Sequence, residues 1–257
     1  FHQRQPVARQ SAPQHNNAIT FKGINHLFSD CGDRMVLVQI KTSGQFIHNA
    51  LLQLRIDTSQ ASFYTNHFTH LNKLMNTLLS ELLDITIPVV QAPMGGAAGP
   101  RLAAAVSNAG GLGTLPVWTS DLETTRALVR ETRTLTDKPF AVNLNMEFPQ
   151  EERLEACLEE GAPAVSFFWQ DSSGLVDRAK AGGATVMHTV ASTEDARYAV
   201  DSGVDILIAQ GWEAGGHVRG SVATMALVPA VVDVAGGKPV IAAGGISDGR
   251  GIAAGLC

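Results

Sequence analysis

From residue 75 onward, short apolar runs alternate with helix-like stretches, and most of the runs are followed by glycine or polar residues. That alternation argues for a parallel α/β sheet more strongly than any other feature of the chain. The strand-like runs are Pro88-Val89-Val90-Gln91, Gly111-Leu112-Gly113-Thr114-Leu115, Phe140-Ala141-Val142-Asn143-Leu144 and Ala164-Val165-Ser166-Phe167-Phe168. Ala184-Thr185-Val186-Met187-His188, Asp205-Ile206-Leu207-Ile208-Ala209 and Pro239-Val240-Ile241-Ala242-Ala243 follow. Helices are expected through 102–106, opened by Pro100, and over 121–135, 150–160, 174–181, 193–201 and 225–234. A last helix begins near 248, and an amphipathic lead-in covers 75–83. Seven strand–helix units result. The fold expected is therefore a (β/α)8 TIM barrel truncated after its seventh unit, since no eighth strand follows before Cys257. A doubly wound open sheet is the alternative. Its Gly-rich loop usually reads GxGxxG, which Met94-Gly95-Gly96 does not match.

Composition divides the chain near residue 74. Residues 1–74 are rich in His, Gln, Asn and Phe, lack Glu and carry a small positive charge. Their best strand candidate is Met35-Val36-Leu37-Val38-Gln39-Ile40, with a weaker stretch at 47–56. Such a segment is too short to bury much core alone. Residues 1–74 read as an irregular extension, with the native start expected at Met75. Residues 75–257 read as the barrel domain. The formal net charge is −5, so no nucleic-acid surface is expected. Three cysteines, far apart and unpaired in motif, fit a reduced, cytoplasmic protein without disulfides or a metal site. No run long enough to cross a membrane is present, and no signal-peptide core opens the chain.

Of eight histidines, only His188 and His217 lie in the second segment. His188 ends a strand-like run. His217 closes Gln210-Gly211-Trp212-Glu213-Ala214-Gly215-Gly216-His217, directly after another. An imidazole at the carboxyl end of a barrel strand is placed for proton transfer near neutral pH. Met94, Gly95 and Gly96, Asn143 and Asn145, Trp169 and Gln170, and Gly244, Gly245 and Ser247 also follow strands. All would share one face. Several of these have simpler readings. Gly95-Gly96 is either a tight turn or a place for close ligand approach. Asn143 either satisfies strand-end backbone or binds a ligand edge, and His188 is either a satisfied core histidine or part of the site. Gly244 to Gly249 offers free backbone N–H groups for an anion, or is a plain turn and helix cap.

Four ordered motifs resemble the nitronate monooxygenase family, formerly the 2-nitropropane dioxygenases. They are Gln91-Ala92-Pro93-Met94-Gly95-Gly96, Ala105-Val106-Ser107-Asn108-Ala109-Gly110-Gly111-Leu112-Gly113, the Gln210 to His217 run, and Ala242-Ala243-Gly244-Gly245-Ile246-Ser247-Asp248-Gly249-Arg250-Gly251. The resemblance covers about 79 to the end. It implies a TIM barrel with FMN at the carboxyl face. Ala92, Pro93 and Met94 would run along the flavin ring, and Asn143 and Gln210 would contact the ring or ribityl chain. Gly215, Gly216, Gly244 and Gly245 would lie toward the phosphate, and His188 would line the pocket. His217 would be the catalytic base. The implied reaction takes an alkyl nitronate or nitroalkane and O2 to a carbonyl compound and nitrite. Oligomeric state stays open. Family members continue into an eighth strand, so weak FMN affinity and open edges on the 88–91 and 239–243 strands are expected. An NAD(P)H-dependent flavin enoyl-acyl-carrier-protein reductase shares two of the motifs, and an inactive barrel fragment is the third reading.

Overall fold

A computed structural model describes residues 36–40 and 76–256. Its strands are β1 (Val36–Ile40), β2 (Val89–Gln91), β3 (Gly113–Pro116), β4 (Phe140–Asn145), β5 (Ala164–Phe168), β6 (Thr185–Val190), β7 (Ile206–Gln210) and β8 (Val240–Ala243). Helices are α1 (Leu78–Leu83), α2 (Pro100–Asn108), α3 (Leu122–Leu135), α4 (Glu151–Glu159), α5 (Ser173–Ala181), α6 (Thr193–Asp201), α7 (Thr224–Val232) and α8 (Gly249–Gly255). All strand pairs are parallel, in the order β2-β1-β8-β7-β6-β5-β4-β3. A parallel bridge between Val90 and Leu112 joins β2 to the start of β3, so the two ends of that order meet. This is the closed circuit of a TIM barrel. None of the described helices is long and apolar enough to cross a membrane.

The strand expected in the first segment forms as β1. β1 pairs with β8 from Val36↔Val240 to Gln39↔Ala243, and with β2 from Val38↔Val89 to Ile40↔Gln91. The open edges expected on the 88–91 and 239–243 strands are therefore filled. Each edge presents a row of unpaired backbone donors and acceptors, and an extended five-residue strand satisfies both at once. The stretch at 47–56 and the boundary near Met75 lie outside the described residues.

Strand alternation sorts the core into two layers. One cluster joins the strands to the helices through Val142, Leu144, Val165, Phe167, Val186, Val190 and Leu207, packed with Ala103, Val129, Leu154, Val176, Ala196 and Leu227. The other fills the barrel with Val90, Leu112, Ala141, Ala164, Met187, Ile206, Ile208, Ile241 and Ala243. Leu79 and Leu83 of α1 belong to this inner cluster, and Leu82 O accepts from Thr185 Oγ1 at the start of β6. α1 thus plugs the amino end of the barrel. Thr77 and Ser80 cap it reciprocally, each side chain bonding the other's backbone N–H. Cys157 of α4 is fully buried among apolar neighbours, and burial pushes its thiol up to about 12. It is a small core residue with no reactive character.

Candidate active site

The inner cluster fixes which strand face looks into the barrel. By alternation from Leu112, Ala141, Ala164, Met187 and Ile208, the same face carries Thr114, Asn143, Asn145, Ser166, Phe168, Thr189 and Gln210. The inward face is apolar near α1 and gains polar side chains toward the carboxyl end. Asn143 Nδ2 donates to Ser166 O at 3.2 Å and Ser166 Oγ at 3.4 Å, which ties β4 to β5. Gln210 Nε2 donates to His217 O at 3.0 Å, so the last residue of β7 holds the loop that it launches.

His217 is exposed on that loop, yet its ring meets three aromatic edges at the barrel mouth. Ring centroids lie 5.8 Å from Trp118, 5.7 Å from Trp169 and 6.4 Å from Phe168, all near perpendicular or steeply inclined. Edge-to-face packing of this kind favours one ring orientation. Trp169 itself stacks on Phe168 at 4.5 Å. Its backbone φ is +61°, and Gln170 follows at +51°. Two consecutive non-glycine residues in the left-handed region are strained, and the aromatic stacking holds them there.

The loop after β7 is pinned at its far end too. Both Glu213 carboxylate oxygens accept from Thr224 N at 3.0 Å, capping α7, whose own cap residue Ala223 supplies no side-chain bond. Thr224 Oγ1 donates to Gly244 O at 3.1 Å, linking this loop to the one after β8. A Cβ on Gly211 would lie 2.4 Å from Thr224 N, so only glycine fits between them. Glu213, in the middle of the motif, is therefore a strut.

His188 is placed differently from its neighbour. β6 extends through Val190, so His188 is not its terminal residue. It is in register with Phe167 and Leu207, both in the sheet–helix layer, and so points out of the barrel. Its Nδ1 lies 2.9 Å from Ser172 Oγ, at the start of α5, and the residue is 4% exposed. Burial lowers its pKa to about 4, against the opposing pull of Asp195 and Asp171. The structure thus brings His217, Gln210, Trp118, Phe168 and Trp169 together and sets His188 on the other face of β6.

The loops around the mouth complete the picture. Met94 O accepts from Ala97 N and Ala98 N at 3.0 and 2.8 Å, a tight turn before α2. Gln91 Nε2 donates to Thr114 O at 3.0 Å, anchoring the half-buried Ala92 and Pro93 beside β3. Gly244 and Gly245 adopt φ of +119° and +70°. At the start of α8, Asp248 Oδ1 accepts from Arg250 N at 2.9 Å and Gly251 N at 3.3 Å. The adjacent Arg250 side chain and these backbone donors hold the Asp248 carboxyl down at about 2. Asp248 thus caps α8, just after the two glycines.

The nitronate monooxygenase family model matches residues 76–152 and 145–257. This chain belongs to the nitronate monooxygenase family. Among curated relatives, a (3aS,4S,5R,7aS)-5-hydroxy-7a-methyl-1-oxo-octahydro-1H-indene-4-carboxyl-CoA dehydrogenase of Mycobacterium tuberculosis is 45% identical over 186 residues, covering 71% of this chain and 52% of that protein. A nitronate monooxygenase of Pseudomonas aeruginosa is 39% identical over 230 residues, covering 71% of this chain and 65% of its own. The solved structure of FabK from Thermotoga maritima superposes with a TM-score of 0.67 at 40% identity, covering 70% of this chain and 58% of that one. The chain spans about half to two thirds of the length of these proteins.

Family membership accounts for the motifs, but several residues around the mouth lie outside what motif reading singled out. In the sequence Phe168 reads as a strand residue and Gln150 as the start of a helix. Gln150 is fully buried and its Nε2 donates to Asn145 O at 2.9 Å and Trp118 O at 3.3 Å, joining the loops after β3 and β4. Its position just before an acidic helix start was the only available signal. Ser172 carried none, because its partner His188 is sixteen residues away.

Proposed function

We propose that this family member oxidises alkyl nitronates with O2 to carbonyl compounds and nitrite, using FMN bound at the carboxyl end of the barrel. The observation that carries the reading is the convergence of the His217 ring with Trp118, Phe168 and Trp169 beside Gln210, at the face where a barrel keeps its chemistry. The fit to FMN rests on buried polar atoms without protein partners. Gln210 Oε1 and Thr114 Oγ1 are such atoms on the inward face, and Trp169 Nε1 is another at the rim. An orphaned buried group is costly, and a bound group with matching donors and acceptors removes that cost.

FMN, when bound, supplies the electron acceptor. The chain's own residues do the rest. Ala92, Pro93 and Met94 would present backbone to the ring. Asn143 and Gln210 would offer amides, and Gly215, Gly216, Gly244 and Gly245 would allow close backbone approach to the phosphate. His217 orients the nitronate and removes the α-proton from a neutral nitroalkane. Trp118, Phe168 and Trp169 pack their rings around that imidazole and orient it.

A second activity, redox exchange with a CoA thioester, is favoured by the 45% identity to the CoA dehydrogenase. The test is reconstitution with FMN, desalting, and then nitrite formation and O2 uptake with ethylnitronate and nitroethane. Retained flavin with nitronate turnover is expected. Full nitroethane turnover by His217→Ala would remove His217 from the reaction. Flavin reduction by NAD(P)H with no nitronate turnover would replace the reaction.

A further inference from the structure

A groove of about 770 Å³ opens between the loops after β3 and β4, lined among others by Trp118, Leu122, Phe148, Glu151, Glu152 and Arg153. Trp118 and Phe148 form its wall, stacked at 5.7 Å and 17°. The edge of Trp118 also meets the His217 ring, so this wall is continuous with the barrel mouth. Phe148 is 46% and Leu122 39% exposed, so two large apolar side chains face solvent in one concavity. Exposed apolar surface gathered in a cleft is the usual mark of a ligand site.

The rim carries an uneven charge. Asp121, Glu151 and Glu152 face one cation, Arg153. Arg153 Nε donates to Ser120 O at 2.6 Å and Nη1 to Pro149 O at 3.0 Å. Those bonds direct its guanidinium to holding the two loops. Asp121 is kept ionised by the Thr124 backbone and side chain, which lower its pKa. A ligand portion lying here meets aromatic faces and a net negative rim.

We propose that this groove is the subsite for the distal part of the substrate, and that it accepts an uncharged flat or ring-bearing tail and disfavours an anionic one. The proposal rests on the placement of the reacting end at His217. It has a consequence for CoA thioesters: their polyanionic nucleotide portion would have to leave the mouth by another path.

The test is equilibrium binding to the FMN-reconstituted full chain, by isothermal titration. The probes are 2-phenyl-1-nitroethane and the same compound carrying a para-carboxylate. The neutral probe is expected to bind about tenfold more tightly, from like-charge repulsion at a partly screened rim. Phe148→Ala should weaken the neutral probe about tenfold through the lost aromatic contact. The Glu151→Gln, Glu152→Gln double variant should narrow the gap between the two probes to under about threefold. Equal affinity for both probes would overturn the charge selection, and an unchanged affinity in Phe148→Ala would overturn the subsite. Nitroethane turnover on the same preparations reports on the reaction alone, because that substrate has no tail.

Discussion

The burial of His188 makes a quantitative prediction about acid stability. Its pKa falls from an ordinary 6.5 to about 4, chiefly because burial disfavours the charged ring. A group whose folded pKa is lowered binds fewer protons in the folded state. Its contribution is therefore fully present above pH 6.5 and is lost as the pH falls toward 4. Each pKa unit corresponds to about 1.4 kcal/mol, so the whole effect is about 3 kcal/mol. Between pH 8 and pH 5 the part lost is about 2 kcal/mol.

The assay is urea unfolding of the parent and of His188→Gln at both pH values, with the slope checked for constancy. Other groups with lowered pKa, such as Asp248 and Glu160, titrate alike in both proteins and cancel in the comparison. The parent should lose about 2 kcal/mol more than the variant on going to pH 5. Parallel losses would show that the ring is not held neutral by burial. Ser172→Ala should keep the pH dependence, since burial rather than the 2.9 Å hydrogen bond is the leading cause.

Three further outcomes follow from the packing. Val38→Pro in β1 removes a backbone donor from a strand paired on both sides, and should cost about 1–3 kcal/mol and promote aggregation on heating; an unchanged melting temperature would exclude β1 from the sheet. Phe167→Ala empties a fully buried site in the sheet–helix layer and should cost about 3–5 kcal/mol, read by chemical denaturation, whereas a loss below about 1 kcal/mol would contradict the packing. Gly211→Ala would drive a Cβ against Thr224, 2.4 Å from its backbone nitrogen, and should break the Glu213 cap and lower flavin retention together; normal retention after desalting would disprove the strut.

The strands were legible because their signal is local. The run 164–168 is β5 as observed, and 193–201 is α6 as observed. Where edges differ, a specific group decides. β8 starts at Val240 because Pro239 has no donor for the ladder, and β7 starts after Asp205, whose carboxylate accepts from Val186 N. The facing of His188 was not legible, because the strand runs on through Thr189 and Val190. A one-residue difference in parity exchanges the inner and outer faces. The position of β1 was not legible either, since the pair Val36↔Val240 joins residues about two hundred apart and no local pattern encodes it. The left-handed backbone at Trp169 depends on stacking against Phe168, which is again tertiary.

The two histidines show how one side-chain type is divided by environment. His188 sits in a strand, buried, bonded to Ser172 and held uncharged, so its hydrogen-bonding role is constant over the working pH range. His217 sits on a loop fixed at both ends, by Gln210 bonding its carbonyl and by Glu213 capping α7. Its backbone is positioned while its ring stays exposed between aromatic edges. Proton transfer to a substrate needs a group that is positioned yet reachable, and able to carry the charge it gains. A buried ring that resists protonation meets the first requirement but resists the last. His217 is both positioned and reachable, and Trp118 connects it to the groove whose apolar wall we propose for a substrate tail. Loss of the Gln210 bond in a Gln210→Ala variant should therefore impair nitroethane deprotonation more than turnover of preformed ethylnitronate, since only the former needs His217 as a base.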